Sequence, residues 1–315
     1  MNHWTPDDIP EQTGRTALIT GGNSGIGLET ARVLATHGAR VILAGRSQAR
    51  LDHAAEAVRA AAPKAQVGTL VLDLSDLASV RDAATRIAET ETIDLLINNA
   101  GVMNLPRRQS TRDGFEMTVG TNHLGHFAFN ALLWPAVRRA AAPRVVTVSA
   151  IAARWLMGRL DDLMSEKNYR GMTAYAKSKR ANVVYTLELA RRTANSALQA
   201  LVVHPGAAMT NLQQHGSGLL TRIITPISER LLMGSAEGAA WPSLYAATSP
   251  HVRSGQFIGP AGRDQTSGTP KAAKLPKGAD DPDQGRRLWA ASEQLTGITF
   301  DPDAGRVQRV LRRRG

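Results

Sequence analysis

The sequence predicts an α/β fold in which a parallel, doubly wound sheet carries helices on both faces. Two observations support this class. Short apolar, β-branched runs alternate with Ala-rich helical stretches through the first two thirds of the chain, and strands buried on both faces have such continuous apolar runs. Strands that alternate with helices require right-handed crossovers, which build a parallel sheet. The 315 residues are enough for a sizeable core.

Six strands are predicted from runs rich in Val, Ile, Leu and Thr. They cover residues 15–20, 40–44, 66–72, 93–98, 144–149 and 198–204. Helices are predicted between them at 26–37, 48–62, 77–90, 112–140 and 173–193, because these stretches are long, rich in Ala and apolar on one side. Pro63 ends the second helix, and Ser75–Asp76 supplies the cap of the third.

The chain past residue 204 has a looser pattern. Residues 265–282 are rich in Gly, Pro and Lys and are predicted to form an exposed loop, and 286–295 a last helix. No internal repeat or long linker divides the chain, so we expect a single domain over 1–315. Within it, 14–206 forms the cofactor-binding and catalytic core, 207–233 a substrate lid region, and 261–315 a C-terminal extension with a basic tail.

The predicted lid region contains an apolar stripe near helical period, interrupted at Pro226. Its members are Leu219, Leu220, Ile223, Ile224, Ile227, Leu231 and Leu232. Two interpretations stay open: a helix packed on the core, or a lid over a lipophilic substrate. Docking on a membrane surface is disfavoured because the stripe lacks a polar face rich in Lys and Arg.

Composition excludes several kinds of site. No run of about 18 apolar residues occurs, so no spanning helix is expected. The sequence has no cysteine, which excludes disulfides, thiolate nucleophiles and Cys metal sites. The first eleven residues are acidic and lack the apolar segment of a secretory signal. These features lead us to expect a cytoplasmic protein.

The positive charge is unevenly distributed. The formal net charge is +11, yet five arginines in the last ten residues account for +5, leaving +6 for the other 305. Aromatic residues make up only 4% of the chain and do not interleave with basic segments, as a base-stacking surface would require. Nucleic-acid binding is therefore not expected.

A glycine-rich turn follows the first predicted strand and opens the first predicted helix. Glycines in such a turn let the backbone approach a pyrophosphate at the positive end of the helix. This position in a strand–helix–strand unit, more than the glycines themselves, favours a dinucleotide site over a simple turn. The predicted cofactor-binding residues here are Gly21, Asn23, Ser24, Gly25, Ile26 and Gly27.

The residues after the second strand indicate which dinucleotide binds. An acidic residue there would bind the ribose 2′-hydroxyl of NAD, whereas a basic residue accommodates the 2′-phosphate of NADP. The chain has no acid at this point and one basic residue, Arg46, whose guanidinium can bind phosphate through two hydrogen bonds. We therefore expect NADP(H) to be preferred over NAD(H), unless Arg46 is only a solvated surface residue.

Tyr175 and Lys179 stand four residues apart on a predicted helix, so their side chains share one face. A nearby ammonium favours the phenolate, and we expect it to lower the pKa of Tyr175 toward neutrality. Such a tyrosine can act as a general acid and base. The pair by itself would also fit an aromatic residue beside a surface lysine.

Taken together, these motifs resemble those of the classical short-chain dehydrogenases/reductases. The glycine loop, 98–101 (NNAG), 121–123 (TNH), the Tyr–Lys pair and 204–206 (HPG) occur in that family's order. The stretches 107–116 and 121–127 and the 25-residue span that ends at Tyr175 are similar to the retinol-dehydrogenase-like branch. The resemblance covers about residues 14–300 and implies a Rossmann-type fold and oxidoreductase activity.

The resemblance also implies roles for individual residues. Tyr175 would be the general acid/base, Lys179 would bind the nicotinamide ribose, and Asn122 would hold a water of the proton relay. The remaining implied cofactor contacts are Asp73 and Leu74 near the adenine, Asn99, Ala100 and Gly101 behind the cofactor, and Pro205, Gly206 and Thr210 near the nicotinamide amide and pyrophosphate.

One position departs from the family pattern. A serine that bonds the substrate oxygen normally stands just past the fifth strand, and here Ala150 takes its place. Ser149 is the nearest hydroxyl and is retained as a candidate catalytic residue. Neighbours on an extended chain point to opposite faces, however, so Ser149 reaches the substrate only if the strand end twists.

The sequence leaves two candidate functions from different classes. The first is an NADP(H)-dependent enzyme that interconverts a small apolar carbonyl compound and its alcohol. The alternative is a catalytically weak NADP(H)-binding sensor or scaffold, which Ala150 favours and the retained proton-relay residues disfavour. His123 and His126 are three apart, but no third ligand accompanies them, so packing is preferred over a metal site. A homo-oligomer is an open option.

Overall fold

A mixed sheet of eight strands forms the centre of the molecule. The computed structural model describes residues 4–156, 160–206, 236–262 and 265–303, together with the backbone of 306–309. The strands of the central sheet are β1 Thr16–Thr20, β2 Arg40–Gly45, β3 Val67–Val71, β4 Leu95–Asn98, β5 Arg144–Val148, β6 Gln199–Val203, β7 Phe257–Pro260 and β8 Pro270–Ala272. Their order is β3-β2-β1-β4-β5-β6-β7-β8, and only β8 runs antiparallel to its neighbour.

Seven helices of at least twelve residues flank the sheet in the described part of the chain. They are α1 Gly25–Thr36, α2 Gln48–Ala61, α3 Leu77–Ala88, α4 Gly125–Arg138, α5 Gly171–Arg192, α6 Ala236–Thr248 and α7 Pro282–Thr296. A turn of α-helix, Met117–Val119, and a π-helical turn, Gly120–Leu124, lead into α4. A 3₁₀ turn, Ile151–Arg154, follows β5.

The helices form two layers because each strand buries both of its faces. On β1, Ala17 and Ile19 pack with α1, α2 and α6, while Leu18 between them packs with α3, α4, α5 and α7. All three side chains are completely buried. This is the doubly wound, Rossmann-type arrangement that the continuous apolar runs predicted.

The sheet is built outward from β1 in two opposite directions, so β1 and β4 are neighbours at the point where the strand order reverses. From β1 the chain proceeds to β2 and β3 on one side, and then returns to β4 and β5 on the other. In such sheets the loops at the carboxyl ends of the two central strands separate and leave a crevice. The glycine loop and the turn after β4 both lie at this point.

The structure differs from the sequence-based expectations mainly in the last third of the chain. The sequence did not indicate α6, β7, or the strands β9 Ile298–Asp301 and β10 Arg306–Arg309, which pair with each other. The expectation of a loop over 265–282 was wrong in part, because β8 pairs with β7 there. The helix expected from residue 112 begins only at Met117, since Ser110 and Glu116 form an extended bridge. Among the described helices, none has the length and apolar character to cross a bilayer.

Candidate active site

The loop between β1 and α1 presents the start of a helix without a side-chain cap. Gly21 and Gly25 have φ angles of 66° and 52°, a region that residues with a Cβ rarely enter. Ser24 is the N-cap residue of α1, but its side chain makes no capping hydrogen bond. The first amide groups of α1 can therefore bind an anionic ligand, which the helix dipole also favours.

The turn after β4, residues 98–101, packs against the glycine loop. A Cβ on Gly27 would lie 2.5 Å from Nδ2 of Asn99, so only glycine lets the two segments meet. Asn99 Nδ2 donates a hydrogen bond to the carbonyl oxygen of Thr20 at 2.8 Å. The backbone amides of Asn99 and Ala100 both donate to the Thr20 hydroxyl oxygen, at 2.9 and 3.0 Å. The glycine loop and the turn 98–101 thus form one packed unit.

The end of β2 lies beside the glycine loop. A Cβ on Gly45 would be 2.8 Å from Oδ1 of Asn23, so Asn23 packs directly over the end of the strand. Arg46 is the next residue and is exposed. Its side chain is therefore accessible beside the loop, and its contact with a cofactor phosphate stays a prediction from the sequence.

The residues after β3 form the next part of the crevice wall. Asp73 uses Oδ1 to accept hydrogen bonds from the backbone amide and hydroxyl of Ser75, at 2.9 and 2.7 Å. Leu74 is buried, and its carbonyl packs so closely on Gly125 that no Cβ would fit there. Asp73 therefore shapes its own turn, and Leu74 joins this wall to α4.

Lys179 lies in the interior on α5, near the predicted relay residues. Its side chain is only 3% exposed, and Nζ donates to the carbonyl of Val148 at 2.9 Å. A Cβ on Gly101 would lie 3.1 Å from Oδ1 of Asn122 and 3.5 Å from Nζ of Lys179. The structure thus places Gly101, Asn122 and Lys179 next to one another. Burial lowers the pKa of Lys179 to about 8.

Tyr175 lies one turn before Lys179 on the same face, with the ammonium nitrogen 5.8 Å from the centre of its ring. Burial raises the pKa of Tyr175 to about 12. The expectation that Lys179 would lower this pKa was wrong for the protein without ligand. The ammonium is directed to the Val148 carbonyl instead of the phenol, so desolvation of the phenolate dominates.

Asn122 joins three segments of the site. Its Oδ1 accepts a hydrogen bond from the amide of Val102 at 2.7 Å, and its Nδ2 donates to the carbonyl of Val102 at 2.9 Å. Nδ2 also lies 2.9 Å from the hydroxyl oxygen of Ser178, which itself donates to the carbonyl of Tyr175. The side chain is fully used in holding the chain after β4 against α5. Only its backbone, in the π-helical turn, remains for a water of the relay.

Ser149 and Ala150, the two residues after β5, have different surroundings. The Ser149 hydroxyl is buried and donates its hydrogen bond to the carbonyl of Lys179 at 2.7 Å. Ala150 is extended, with a φ of −154°, and is partly exposed where the 3₁₀ turn begins. The side chain of Ser149 therefore points into α5, and its single hydroxyl hydrogen is already used.

The turn after β6 is covered by the C-terminal extension. Gly206 has a φ of 83°, and a Cβ there would collide with the carbonyl of Thr266. Oε1 of Gln265 lies 3.0 Å from Nε2 of His204 and accepts a hydrogen bond from Arg154 at 2.7 Å. No sequence pattern pointed to Gln265, which stands in the segment expected to be an exposed loop.

Pro205 and Gly206 thus lie at the carboxyl end of β6, as expected. Thr210 and the predicted lid region 207–233 lie outside the described residues. His123 and His126 are both buried, and each bonds to protein groups at 2.8–3.0 Å. No group of three or more metal-binding side chains occurs among the described residues.

The chain is similar to known proteins in sequence and fold. A family model described as short chain dehydrogenase matches residues 15–217. The chain is similar to retinol dehydrogenase 13 of Homo sapiens, with 38% identity over 295 residues, which cover 90% of this chain and 85% of the relative. A crystal structure of an uncharacterized protein from Mycobacterium Paratuberculosis is 38% identical, with a TM-score of 0.78, covering 96% of this chain and 100% of that one. The Pseudomonas aeruginosa RhlG/NADP active-site complex is 25% identical, with a TM-score of 0.61 over 78% of this chain and 94% of that one.

Proposed function

Because the chain belongs to the short-chain dehydrogenase/reductase family, in its retinol-dehydrogenase-like branch, we propose that it interconverts an apolar carbonyl compound and its alcohol with NADP(H). Family membership makes it an oxidoreductase of alcohol or carbonyl groups. The cofactor preference, the substrate class and the residue roles below are our proposal. The observation that carries it is the meeting of the uncapped start of α1, the turn 98–101 and the pair Tyr175–Lys179 at one edge of the sheet.

The residues at this edge fit a nicotinamide dinucleotide. Three glycines leave space along the loop that a Cβ would fill or strain, and the start of α1 offers amide donors to a pyrophosphate. The described end of β2 has no acidic residue to meet a ribose 2′-hydroxyl and has an exposed Arg46 for a 2′-phosphate. The NADP in the related Pseudomonas aeruginosa complex agrees with this choice. When bound, the cofactor supplies or accepts the hydride.

Tyr175 is the proposed proton donor in the reductive direction. Its raised pKa keeps the phenol protonated at neutral pH, which suits a general acid that protonates an oxygen as negative charge develops on it. Lys179, which has a pKa of about 8 and a position beside Gly101 and Asn122, is placed to bind the ribose and to stabilise the phenolate left behind. Water near the Asn122 backbone would return the proton.

Among the described residues, the site offers one hydrogen-bond donor, Tyr175, for the substrate oxygen, where the family pattern has a tyrosine and a serine. Ala150 has no hydroxyl, and Ser149 donates to the Lys179 carbonyl. Loss of one such donor typically reduces kcat by about 10²–10³. We therefore propose a slow enzyme, in which Tyr175 alone stabilises the developing oxyanion. The same observation favours the second candidate, an NADP(H)-binding sensor or scaffold with little turnover.

The substrate is proposed to be apolar on two grounds. The similar Homo sapiens protein is named for retinol, an apolar alcohol. Trp155, which follows the 3₁₀ turn after Ala150, leaves 59% of its surface exposed, as an aromatic side chain at the mouth of an apolar site would. A cytoplasmic location and the oligomeric state stay predictions from the sequence.

Binding and turnover measured separately distinguish the two candidates. Titration of the wild-type protein with NADPH and with NADH is expected to show tighter binding of NADPH. Loss of reduced-nicotinamide absorbance with a panel of apolar aldehydes and ketones would then identify an enzyme. Binding of NADPH without turnover in the wild type and in Ala150→Ser would favour the sensor. Absence of binding to either cofactor would contradict both.

A further inference from the structure

His126 connects three parts of the site that lie far apart in the sequence. It is 2% exposed and stands in the first turn of α4, directly after the π-helical turn. Its Nδ1 lies 3.0 Å from the backbone carbonyl oxygen of Asn122. Its Nε2 lies 2.8 Å from the hydroxyl oxygen of Thr20, at the end of β1. The imidazole therefore spans the space between the proposed relay and the start of the glycine loop.

The partners of His126 determine which ring nitrogen carries the hydrogen. A carbonyl oxygen can only accept, so Nδ1 must be the donor to Asn122. Burial lowers the pKa of His126 to about 3, so the ring is neutral at physiological pH and Nε2 carries no hydrogen. Nε2 is then an acceptor, and the Thr20 hydroxyl must donate to it.

The direction of the Thr20 hydroxyl determines how its oxygen accepts hydrogen bonds from the turn after β4. With its hydrogen directed to His126, the Thr20 oxygen presents its lone pairs to the amides of Asn99 and Ala100, which both donate to it. Without His126, the nearest carbonyl for the hydroxyl is that of Ile97, at a long 3.4 Å. The same turn packs against Gly27 and Gly21 of the loop.

We propose that His126, as its Nδ1-protonated tautomer, is a positioning residue that fixes the turn 98–101 and the Asn122 carbonyl relative to the cofactor loop. The inference rests on the proposed function, because it assigns His126 to cofactor affinity. His126 touches no cofactor or substrate atom itself. It acts through Thr20 on one side and through the Asn122 carbonyl on the other.

His123, three residues earlier, provides a matched control. It is 1% exposed, and its Nε2 lies 2.9 Å from the hydroxyl oxygen of Ser292 on α7. The Ser292 hydroxyl donates to the carbonyl of Leu288 at 2.8 Å, which leaves its oxygen to accept from Nε2 of His123, and the Asn182 side chain also contacts the ring. The two buried histidines are therefore expected to be opposite tautomers, and His123 makes no hydrogen bond to the loop or the turn 98–101 among the described residues.

The first test is nitrogen-15 NMR of the full chain with labelled histidine, which identifies the protonated ring nitrogen without any cofactor. Assignment by the variants His126→Phe and His123→Phe is expected to give Nδ1–H for His126 and Nε2–H for His123. An Nε2-protonated His126 would overturn the proposal, whatever the activity of the protein.

The second test is the Kd of NADPH for matched variants, with Tm measured on each. His126→Phe removes the hydrogen bonds of the ring to the Thr20 hydroxyl and to the Asn122 carbonyl, and we expect Kd and the KM for NADPH to rise at least about tenfold while kcat changes less. His126→Gln can still accept from Thr20 through its side-chain oxygen, and is expected to recover most of the affinity. His123→Phe should lower Tm without changing Kd.

A double-mutant cycle with Thr20→Val shows whether His126 acts through Thr20. If it does, His126→Phe causes a smaller loss of affinity in the Thr20→Val background than in the wild type, and the remainder measures the part that acts through the Asn122 carbonyl. Additive losses, or equal increases in Kd for His126→Phe and His123→Phe, would overturn the proposal and leave the proposed function intact. Failure of the wild-type protein to bind NADPH would instead contradict the proposed function.

Discussion

Position 150 is where the chain departs from the family's catalytic pattern, with an alanine in place of a serine. The neighbouring Ser149 cannot substitute for the absent serine, because its hydroxyl donates to the Lys179 carbonyl inside α5. Ala150 is extended and partly exposed, so a hydroxyl on its Cβ has space. We therefore expect the missing hydrogen bond to limit kcat and to leave cofactor binding unaffected.

We predict that Ala150→Ser raises kcat by about 10²-fold, since it restores a donor to the oxygen on which charge develops. The Kd of NADPH should stay within about twofold. Steady-state kinetics with the best substrate of the carbonyl panel measure both effects. Ser149→Ala is the control and should lower Tm with little effect on kcat. A large loss of kcat from Ser149→Ala, with no gain from Ala150→Ser, would show that Ser149 bonds the substrate.

Arg46 is the residue that we expect to distinguish NADPH from NADH. Arg46→Ala should weaken NADPH binding about tenfold or more and leave NADH binding nearly unchanged, because a charge-assisted contact to a phosphate is lost. Titration of both cofactors by fluorescence or calorimetry measures the ratio. Arg50→Ala, an exposed arginine one turn later on α2, serves as the control. Equal weakening of both cofactors by Arg46→Ala would show that Arg46 does not bind the 2′-phosphate.

The loop between β1 and α1 is the proposed binding element for the cofactor pyrophosphate. Its close packing leaves no room for a side chain at position 27, where a Cβ would lie 2.5 Å from Nδ2 of Asn99 and collide with the carbonyl of Gly21. Such a contact requires the loop or the turn 98–101 to move. Movement of either would displace the amides at the start of α1.

Gly27→Ala is therefore expected to raise the Kd of NADPH at least about tenfold and to lower Tm. Gly68→Ala is the matched control, because a Cβ on that β3 glycine would meet only the side chain of Ile42 at 3.7 Å, an ordinary contact. Differential scanning fluorimetry with and without NADPH measures stability and binding together. Unchanged NADPH binding by Gly27→Ala would exclude the loop as the pyrophosphate site.

The sequence predicted these elements unevenly, for physical reasons. Strands β1 to β6 are continuous apolar runs, so their existence and order could be predicted to within a few residues. Strand β8 is three residues long, begins with a proline and exposes Lys271 and Ala272, so its pattern is that of a loop. Its pairing with β7 comes from tertiary contact, which no local pattern of residues reveals.

The site residues, too, could be predicted from the sequence only in part. Glycines with positive φ leave a signature in the sequence, and so do two side chains four apart on a helix. The direction of a hydrogen bond leaves none: the Ser149 hydroxyl points to α5 and the Lys179 ammonium to Val148, which made the expected pKa of Tyr175 wrong. Likewise, His126 was expected only to pack.

At the scale of the whole molecule, three buried histidines link folding to pH. Burial lowers the pKa of His123 and His204 to about 4 and that of His126 to about 3, from an ordinary value of 6.5. Below pH 6.5 the unfolded chain therefore binds protons that the folded chain does not. The stability that these three neutral side chains contribute is fully present above pH 6.5 and is lost as the pH falls toward 4.

We predict that the free energy of unfolding falls with decreasing pH by roughly 4 kcal/mol per unit near pH 5, from about three protons taken up on unfolding. Urea denaturation at a series of pH values measures the slope. His204→Gln puts a non-titrating side-chain amide beside Gln265 in place of the imidazole. It should reduce the slope by about a third. A free energy of unfolding that stays constant from pH 7 to pH 4.5 would contradict the buried, neutral state of these side chains.

Tyr175 is proposed to protonate a carbonyl substrate while NADPH supplies the hydride. This role is tested by single-turnover measurement of NADPH absorbance, with wild-type protein and Tyr175→Phe each saturated with cofactor and an apolar aldehyde. The wild type is predicted to consume NADPH in a first-order step, and Tyr175→Phe to bind NADPH with near-wild-type Kd but to react at least about 10³-fold more slowly. Equal single-turnover rates for the two proteins would contradict the claim.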